Sequence, residues 1–268
     1  MPIRAVEDVV VSKISPITKD RHFDKTWRLA NGHTFAKQDA VVMLVAAELS
    51  GALMSYPIGF IQSAKGYQLV GIQGFDAGVN LQVAASGKWN SPYLPRVYRV
   101  QPFLLVSTND GNKALCIDET AALIEPTGGE SIYGTDGELA PKVAETVRML
   151  VDFERDRAAT DTICALLAEL ELIEPWEIVV NKGKEQNKIQ GLFRISEARL
   201  NQLEGSQLER LRNQGGLVVA YCQLLSMQNL PKLGKLYHER QRAATDAIQG
   251  LQAFGMSGQN DALSFENL

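Results

Sequence analysis

The hydrophobic pattern changes about half-way along the chain, and this change constrains the fold more than any other feature. Between residues 40 and 120, short apolar runs alternate with turn-forming residues, as in "AVVMLV", "IGFIQ", "YQLVGIQ", "FLLVST" and "KALCID". Such runs are typical of β-strands, and the "SAKG" and "NDG" segments that separate two pairs of them are typical of hairpins. The first half therefore predicts a sheet, with "NLQV" (residues 80–83) as a further short strand.

From Leu139 onward, the apolar residues recur with the helical period instead. Leu139, Val143, Val147 and Leu150 fall on one stripe, which is typical of an amphipathic helix. A second helix is predicted for residues 160–172, and it ends before a proline.

The remaining third of the chain mixes both patterns. "WEIVV" and "IQGLFRI" predict a hairpin around "NKGKEQNK". Ser196 is placed to cap one short helix, and Ser206 with Glu209 has the spacing of a capping box for the next. Gly215 suits the C-terminal cap of that helix. The run "LVVAYCQLL" fits either a strand or a helix, and a last helix is predicted from Pro231.

These patterns predict an α+β fold, in which a mainly antiparallel sheet comes from the N-terminal half and helices from the C-terminal half pack on it. Alternating strand–helix–strand units are scarce, which disfavours a doubly wound sheet. We expect residues 1–38 to form an N-terminal segment, residues 39–254 a single domain and residues 255–268 a flexible tail. With 268 residues, of which 45% are hydrophobic, the chain can bury a sizeable core.

Composition argues against several classes of protein. The net charge is −4 and the pI is near 5.5, which disfavours a nucleic-acid binder. The longest apolar run is interrupted by Glu48 and is shorter than the roughly 20 residues of a membrane span.

We expect a soluble protein of the cytoplasm, because the chain opens without a secretory signal pattern. The three cysteines lie far apart in apolar surroundings and predict buried thiols in a reducing compartment.

Familiar catalytic motifs are missing from the sequence. It contains no Gly-x-Ser-x-Gly elbow, no phosphate-binding glycine loop and no Cys-x-x-Cys pair. The three histidines, His22, His33 and His238, have no second histidine or thiol at metal-ligand spacing, and we expect them at the surface. We therefore predict no catalytic residue, no metal and no cofactor.

The segment "KWNSPYLPRVYRVQPF" (residues 88–103) is the candidate binding site. Its prolines keep it stiff, and its candidate ligand contacts are Trp89, Tyr93, Arg96, Arg99 and Phe103. Guanidinium groups stack on aromatic rings and suit carboxylate or phosphate, so the segment could hold a small anionic or aromatic ligand. Alternatively, the aromatic residues belong to the core and the arginines pair with surface acids. The two arginines lie together only if the segment forms a helical turn.

Asp118 completes the set of candidate residues. A carboxylate at the end of a strand can act as a base or ligand, although such a residue more often caps the following turn. An enzyme acting on a peptide or small metabolite would use Arg96, Arg99 and Asp118 around one pocket.

The order of several segments resembles the SapC-like family of bacterial proteins. The candidate segment after "GVNLQV" is similar to the family's signature region, and "AAELSGALMSYPIGF", "KALCIDE", "SIYGTDGEL", "TICALLAELELIEP" and "GLFRISEARLNQL" follow the family's order. The resemblance covers about residues 38–236. The stretch "RVYRVQPF" departs from it, because the family tends toward adjacent arginines before Tyr-Pro-Phe.

The resemblance implies a link to bacterial surface layers but no catalytic residue. The peptide-permease label that some members carry is not expected to apply, because no segment could span a bilayer. We expect a non-catalytic binding or assembly protein that acts with a protein partner or as a homo-oligomer. The enzyme described above is the alternative, and a surface-layer or virion structural subunit is a weaker one.

Overall fold

Strands in the described part of the chain form four antiparallel sheets. The computed structural model describes residues 13–108, 110–182 and 185–253. The strands within these ranges are β1 (Ile14–Pro16), β2 (Thr26–Leu29), β3 (Val41–Met43), β4 (Ile58–Ser63), β5 (Gly66–Ile72), β6 (Phe103–Ser107), β7 (Lys113–Asp118), β8 (Ala122–Glu125), β9 (Glu130–Ser131), β10 (Ile173–Pro175), β11 (Ile178–Lys182), β12 (Glu185–Ile189) and β13 (Phe193–Ile195).

Helices lie mostly in the second half of the chain, which confirms the α+β class. The α-helices of the described residues are α1 (Lys19–His22), α2 (Leu49–Ala52), α3 (Arg96–Arg99), α4 (Pro141–Glu169), α5 (Glu197–Leu200), α6 (Gly205–Asn213), α7 (Gly216–Ser226) and α8 (Leu230–Ala253). Three short 3-10 turns, Thr34–Ala36, Ala46–Glu48 and Met227–Asn229, precede β3, α2 and α8.

The largest sheet draws strands from both halves of the chain. Its order is β10-β13-β4-β5-β3, with every neighbouring pair antiparallel. Two three-stranded sheets, β1-β7-β6 and β8-β2-β9, come from the N-terminal half, and β11 pairs with β12 alone. The sheet structure is therefore divided, and two C-terminal strands extend the part that the N-terminal half supplies.

The β4–β5 hairpin is the centre of the largest sheet. Ser63 pairs with Gly66 across a two-residue loop, and the φ of +112° at Gly66 favours glycine. Ile58, Phe60 and Leu69 are buried, so the alternating apolar residues of this hairpin form a core face.

One continuous helix replaces the two that the sequence predicts between residues 139 and 172. Pro141 occupies the first turn of α4, where a missing N–H costs nothing. The helix covers two different cores in succession, because Val143 and Leu150 pack in the cluster of the small sheets and Leu167 packs in that of the largest sheet. The apolar stripe therefore changes face near the middle of α4.

Two strand predictions were wrong. "WEIVV" pairs with residues 185–189 instead of with "GLFRI", whose strand β13 joins β10 and β4. The "NLQV" segment makes only an isolated bridge at Val83. Its backbone is used locally, because the N–H of Asn80 donates to Lys37 and the N–H of Gln82 donates to the Asn80 side chain.

Helix boundaries near residue 205 also differ from the prediction. The N-cap of α6 is Glu204, two residues before the predicted N-cap Ser206, and the Gln207 side chain accepts a hydrogen bond from the Glu204 N–H at 3.0 Å. Gly215 follows α6 with a φ of +77°, as predicted for a cap. "LVVAYCQLL" is helical, and α7 places Gln223 and Ser226 against the backbone of Ile58.

Strands β1 and β2 belong to the predicted N-terminal segment. β1 pairs with β7, and β2 lies between β8 and β9. Two strands of this segment are therefore built into the small sheets. The tail predicted for residues 255–268 lies outside the described residues.

Candidate functional site

The candidate segment folds over the helical turn of α2, with its aromatic side chains partly in the core. Trp89 and Tyr93 are half-buried against the main hydrophobic cluster. The Trp89 indole N–H donates to the Tyr93 carbonyl at 2.9 Å, and the Tyr56 hydroxyl donates to the same oxygen. The Trp89 ring lies edge-on to Tyr98, with centroids 5.5 Å apart. These contacts fix the loop before α3.

A buried carboxylate, Glu48, anchors this segment. Only 2% of Glu48 is exposed. One carboxylate oxygen accepts the Val45 N–H at 3.0 Å, while the other accepts the Tyr93 hydroxyl and the Arg96 N–H, each at 2.9 Å. A buried carboxylate is tolerated where donors replace its hydration. Glu48 therefore ties the start of α3 to the turn before α2.

The Tyr93 hydroxyl is held in its protonated form. Burial and the neighbouring Glu48 carboxylate raise the pKa of Tyr93 to about 12. The ring lies directly over Gly51, where an added Cβ would overlap it. The sequence therefore needs a glycine at position 51 for Tyr93 to reach Glu48.

Arg96 is occupied within the protein. Its Nη1 lies 2.7 Å from the Asp156 carboxylate on α4, with the two side chains 35% and 17% exposed. This contact matches the interpretation in which the arginines pair with acids. Thr160, one turn further along α4, accepts the Ala46 N–H at 2.8 Å. Helix α4 therefore contacts both α3 and the 3-10 turn before α2.

Arg99 differs from Arg96, because its guanidinium faces solvent. Its Nε donates to the Leu94 carbonyl at 2.8 Å, and its Cζ lies 4.8 Å from the centroid of the Tyr93 ring. Among the described residues, no carboxylate lies within ion-pair distance of Arg99. The stacked guanidinium therefore presents its outer N–H groups in a fixed orientation.

Phe103 and Asp118 have structural roles that are separate from those of the two arginines. Phe103 is fully buried in the cluster of the small sheets, edge-on to Trp27 at 4.7 Å. Asp118 accepts hydrogen bonds from the Thr120 N–H at 2.8 Å and from its hydroxyl at 2.6 Å. Within the described ranges, no hydrogen bond or ion pair joins Asp118 to Arg96 or Arg99. Phe103 is thus a core residue, and Asp118 caps a turn.

Two smaller expectations also have a structural outcome. His22 is buried instead of exposed; burial lowers its pKa, and its Nδ1 lies 3.2 Å from the Thr18 carbonyl oxygen. The cysteines are free thiols, with Cys116 and Cys164 buried and Cys222 half-buried. No cluster of three metal-ligating side chains occurs in the part of the chain that the structure describes.

Sequence reasoning missed most of the residues that hold the site together. Glu48, Tyr56 and Asp156 carry its key contacts, and none of them was predicted as a site residue. The available signal was Glu48 itself, a carboxylate inside the apolar run "AVVMLVAAELSGALM". A buried acid in such a run requires donors from elsewhere in the chain.

A second surface stands out on α7. Three large apolar side chains, Val218, Tyr221 and Leu225, follow the i, i+3, i+7 spacing and are 60%, 52% and 58% exposed. This spacing places them on one side of the helix. We call these three residues the α7 apolar face. The opposite side of α7, including Val219 and Ala220, is buried.

Open cavities lie elsewhere, along α8. One of about 500 Å³ is lined by residues such as Lys235, His238 and Arg242, and a second of about 330 Å³ adds Asn181 from β11. None of their lining residues is a predicted contact, so the candidate segment forms a surface and not the wall of these cavities.

Fold, anchored segment and exposed helix together define an α+β protein. The SapC family profile matches residues 17–233, so the chain belongs to the SapC family. Comparison with curated proteins gives no match, and neither does comparison with solved structures. Among the described residues, no helix is both long and apolar enough to cross a membrane.

Proposed function

We propose that this SapC-family protein is a non-catalytic binding or assembly protein that contacts another polypeptide through the α7 apolar face. The observation that carries the proposal is the exposure of Val218, Tyr221 and Leu225 on one side of a helix whose other side is buried. Contiguous apolar side chains on a protein surface commonly mark interaction sites. A helix with anchors at i, i+3 and i+7 suits a hydrophobic groove or a second helix.

Burial of the α7 apolar face against a partner would contribute favourably to binding. Full burial of a large apolar side chain contributes about 1.5–3 kcal/mol. Three such side chains on one helical face can therefore act as a central cluster of binding residues. Tyr221 also brings a hydroxyl, which can remain hydrogen-bonded at the rim of an interface.

The chemistry of the candidate segment supports a binding role over a catalytic one. Glu48, Tyr93 and Arg96 satisfy one another or Asp156. A general acid or base needs to reach substrate, whereas these groups are committed to internal contacts. Their common effect is a rigid segment.

A small anionic ligand at Arg99 is the second candidate function. It is favoured by the stacked, solvent-facing guanidinium that Tyr93 and Leu94 orient. Native mass spectrometry of the purified protein tests for a co-purified anion. Any such ligand should be lost from Arg99→Ala and retained by Arg148→Ala, which alters an exposed arginine on α4. Equal retention by both variants would remove Arg99 from the site.

We propose that the protein acts in the cytoplasm. The supporting observation is that Cys116, Cys164 and Cys222 are free thiols, which is typical of a reducing compartment.

Sedimentation velocity over a range of protein concentrations tests whether the polypeptide partner is a second copy. We expect the wild-type protein to associate, Leu225→Glu to remain monomeric, and the control Val151→Glu, which alters an exposed valine on α4, to behave like wild type. If all three are monomeric, the homo-oligomer is wrong and the partner is a different polypeptide. If all three associate equally, another surface mediates assembly.

A further inference from the structure

A chain of hydrogen-bonded polar side chains runs from the half-buried Asp39, just before β3, to the buried Asn80. The Tyr98 hydroxyl lies 2.7 Å from Asp39 Oδ2 and 3.0 Å from Gln73 Oε1, and Asn80 Nδ2 donates to the same Gln73 oxygen at 3.1 Å. Gln73 and Asn80 are fully buried, and Tyr98 is almost so. Water therefore cannot make up for a missing donor between Tyr98 and Gln73.

Backbone contacts fix the orientation of the Asn80 amide, and Asn80 in turn sets the orientation of the Gln73 amide. Asn80 Nδ2 donates to the Ala36 carbonyl at 2.9 Å, and Asn80 Oδ1 accepts the Gln82 N–H at 2.8 Å. Turning the Asn80 amide would break both bonds. The Asn80 Nδ2 group must then face an oxygen of Gln73, because two NH₂ groups 3.1 Å apart would repel. Gln73 Oε1 is thus an acceptor toward Tyr98 as well.

Tyr98 consequently lies between two acceptors with only one proton to donate. A hydroxyl has a single O–H donor and two acceptor lone pairs. If Asp39 is ionised, the Tyr98 hydroxyl can donate either to the Asp39 carboxylate or to Gln73. The Tyr98 oxygen then lies about 3 Å from the other acceptor with no proton between the two atoms. One more proton on the chain satisfies every oxygen: Asp39 O–H donates to Tyr98, and Tyr98 O–H donates to Gln73.

We propose that Asp39 holds this proton in the folded protein and acts as a pH-sensitive lock on the helical turn α3. With the proton present, Tyr98 bridges the approach to β3 and the end of β5, and α3 keeps Arg96 and Arg99 in place. Loss of the proton removes one of the two Tyr98 hydrogen bonds and loosens the turn that carries both arginines. Asp39 is a positioning residue in this account and not a catalytic one.

The surroundings of Asp39 agree with a protonated carboxyl. Burial raises the pKa of Asp39, and the Tyr98 hydrogen bond opposes that shift in part. Burial and Asp39 raise the pKa of Tyr98 well above its usual value, so the tyrosine keeps its own proton.

Few other charges lie near this chain of hydrogen bonds. Within the described residues, Asp39 is in no ion pair, and Lys37, two residues before it, contacts the Ala85 carbonyl. Tyr56 is the other titratable group that acts on Tyr98. From α8, Arg240 donates to the Asn80 backbone carbonyl at 3.4 Å.

Infrared spectroscopy tests the proton directly. Spectra are recorded at about pH 5, where an unperturbed aspartate is ionised, for the wild type, Asp39→Asn and the control Asp246→Asn, which alters an exposed residue on α8. We expect the wild type and the control to share a carbonyl band of a protonated carboxylic acid that Asp39→Asn lacks. Identical bands in all three proteins would overturn the proposal.

Denaturant unfolding as a function of pH provides the second readout. Folding retains a proton that the unfolded chain releases near pH 3.8, so wild-type stability should fall, relative to Asp39→Asn, as pH rises from there through the folded-state pKa. The asparagine supplies a permanent donor to Tyr98, so this variant should fold. A urea midpoint difference between wild type and Asp39→Asn that does not change with pH would contradict the lock.

Discussion

The Glu48 carboxylate accepts a hydrogen bond of 2.9 Å from the hydroxyl of Tyr93, a residue 45 positions further along the chain. This bond joins a buried turn before α2 to the segment that carries the arginines of α3. The same carboxylate oxygen accepts the Arg96 N–H, so one side chain sets both the tyrosine and the helical turn. The rigidity of the candidate segment depends on this arrangement.

Replacing Glu48 with glutamine should destabilise the protein by about 2–4 kcal/mol. The amide has one acceptor oxygen, so its NH₂ group must face at least one of the three donors, and hydrogen bonds to charged groups are worth about 1.5–3 kcal/mol each. Urea unfolding at neutral pH measures the change. The matched control is Glu145→Gln, which alters an exposed glutamate on α4 and should change stability by less than about 0.5 kcal/mol. Equal effects of both variants would show that Glu48 is no anchor.

Gly51→Ala should displace the Tyr93 ring. The added methyl group would overlap the ring, so Tyr93 loses Glu48 or the backbone shifts, at a cost of about 1–3 kcal/mol. Gly234→Ala, in α8, has open space around its Cβ and should instead stabilise the helix by about 0.5–1 kcal/mol. Thermal unfolding of both variants measures these opposite signs. A neutral Gly51→Ala would mean that the ring is not confined.

The Arg96–Asp156 pair should show a measurable coupling energy. The pair is half-buried with an N–O distance of 2.7 Å, and we expect about 1 kcal/mol from a double-mutant cycle with alanine substitutions. Lys142–Glu130 provides the control, because both of its side chains are more than half exposed and such pairs are worth little. Equal coupling energies for the control pair and for Arg96–Asp156 would contradict the importance of burial.

Acid should weaken the attachment of β1 to β7. A hydrogen bond from Lys13, followed by one from Ser15, lowers the pKa of Glu119 from 4.5 to about 2, and Arg21 adds to the effect. Because the folded-state pKa is the lower one, the stabilisation is complete above about pH 5 and is lost as pH falls toward 2.

The Glu119 prediction is measured by urea unfolding of wild type and Glu119→Gln as a function of pH. We expect the stability difference between the two proteins to shrink as pH falls from about 5 toward 2. Glu125→Gln, on an exposed and longer ion pair with Arg28, should show a smaller change over this range. A wild-type advantage over Glu119→Gln that persists at pH 2 would contradict the assignment.

The sequence predicted those parts of the fold whose signals are local. Strands β4 to β7 were found because each apolar run is bounded by turn residues, and Gly215 was found because a helix cap favours positive φ. The continuity of α4 was not found, because its buried stripe changes face between Leu150 and Leu167 as the helix passes from one core to another. Periodicity within one window cannot show that change.

The candidate site depended more on distant contacts. The sequence located the segment and its arginines, but the carboxylate partner of Arg96, Asp156, lies 60 residues away along the chain. Phe103 entered the candidate set by its place in the segment, although it is a core residue. Tyr98, which links Asp39 to Gln73, could be placed only by tertiary structure.

Site-specific photo-crosslinking in living cells tests the proposed contact surface most directly. A photoreactive amino acid is placed at position 221, on the α7 apolar face, or at position 151, an exposed valine site on α4. We predict a discrete adduct to a polypeptide, either a second copy or another protein, from position 221 only. Leu225→Glu in the same chain should abolish that adduct. No adduct from position 221, or the same adducts from both positions, would contradict the account.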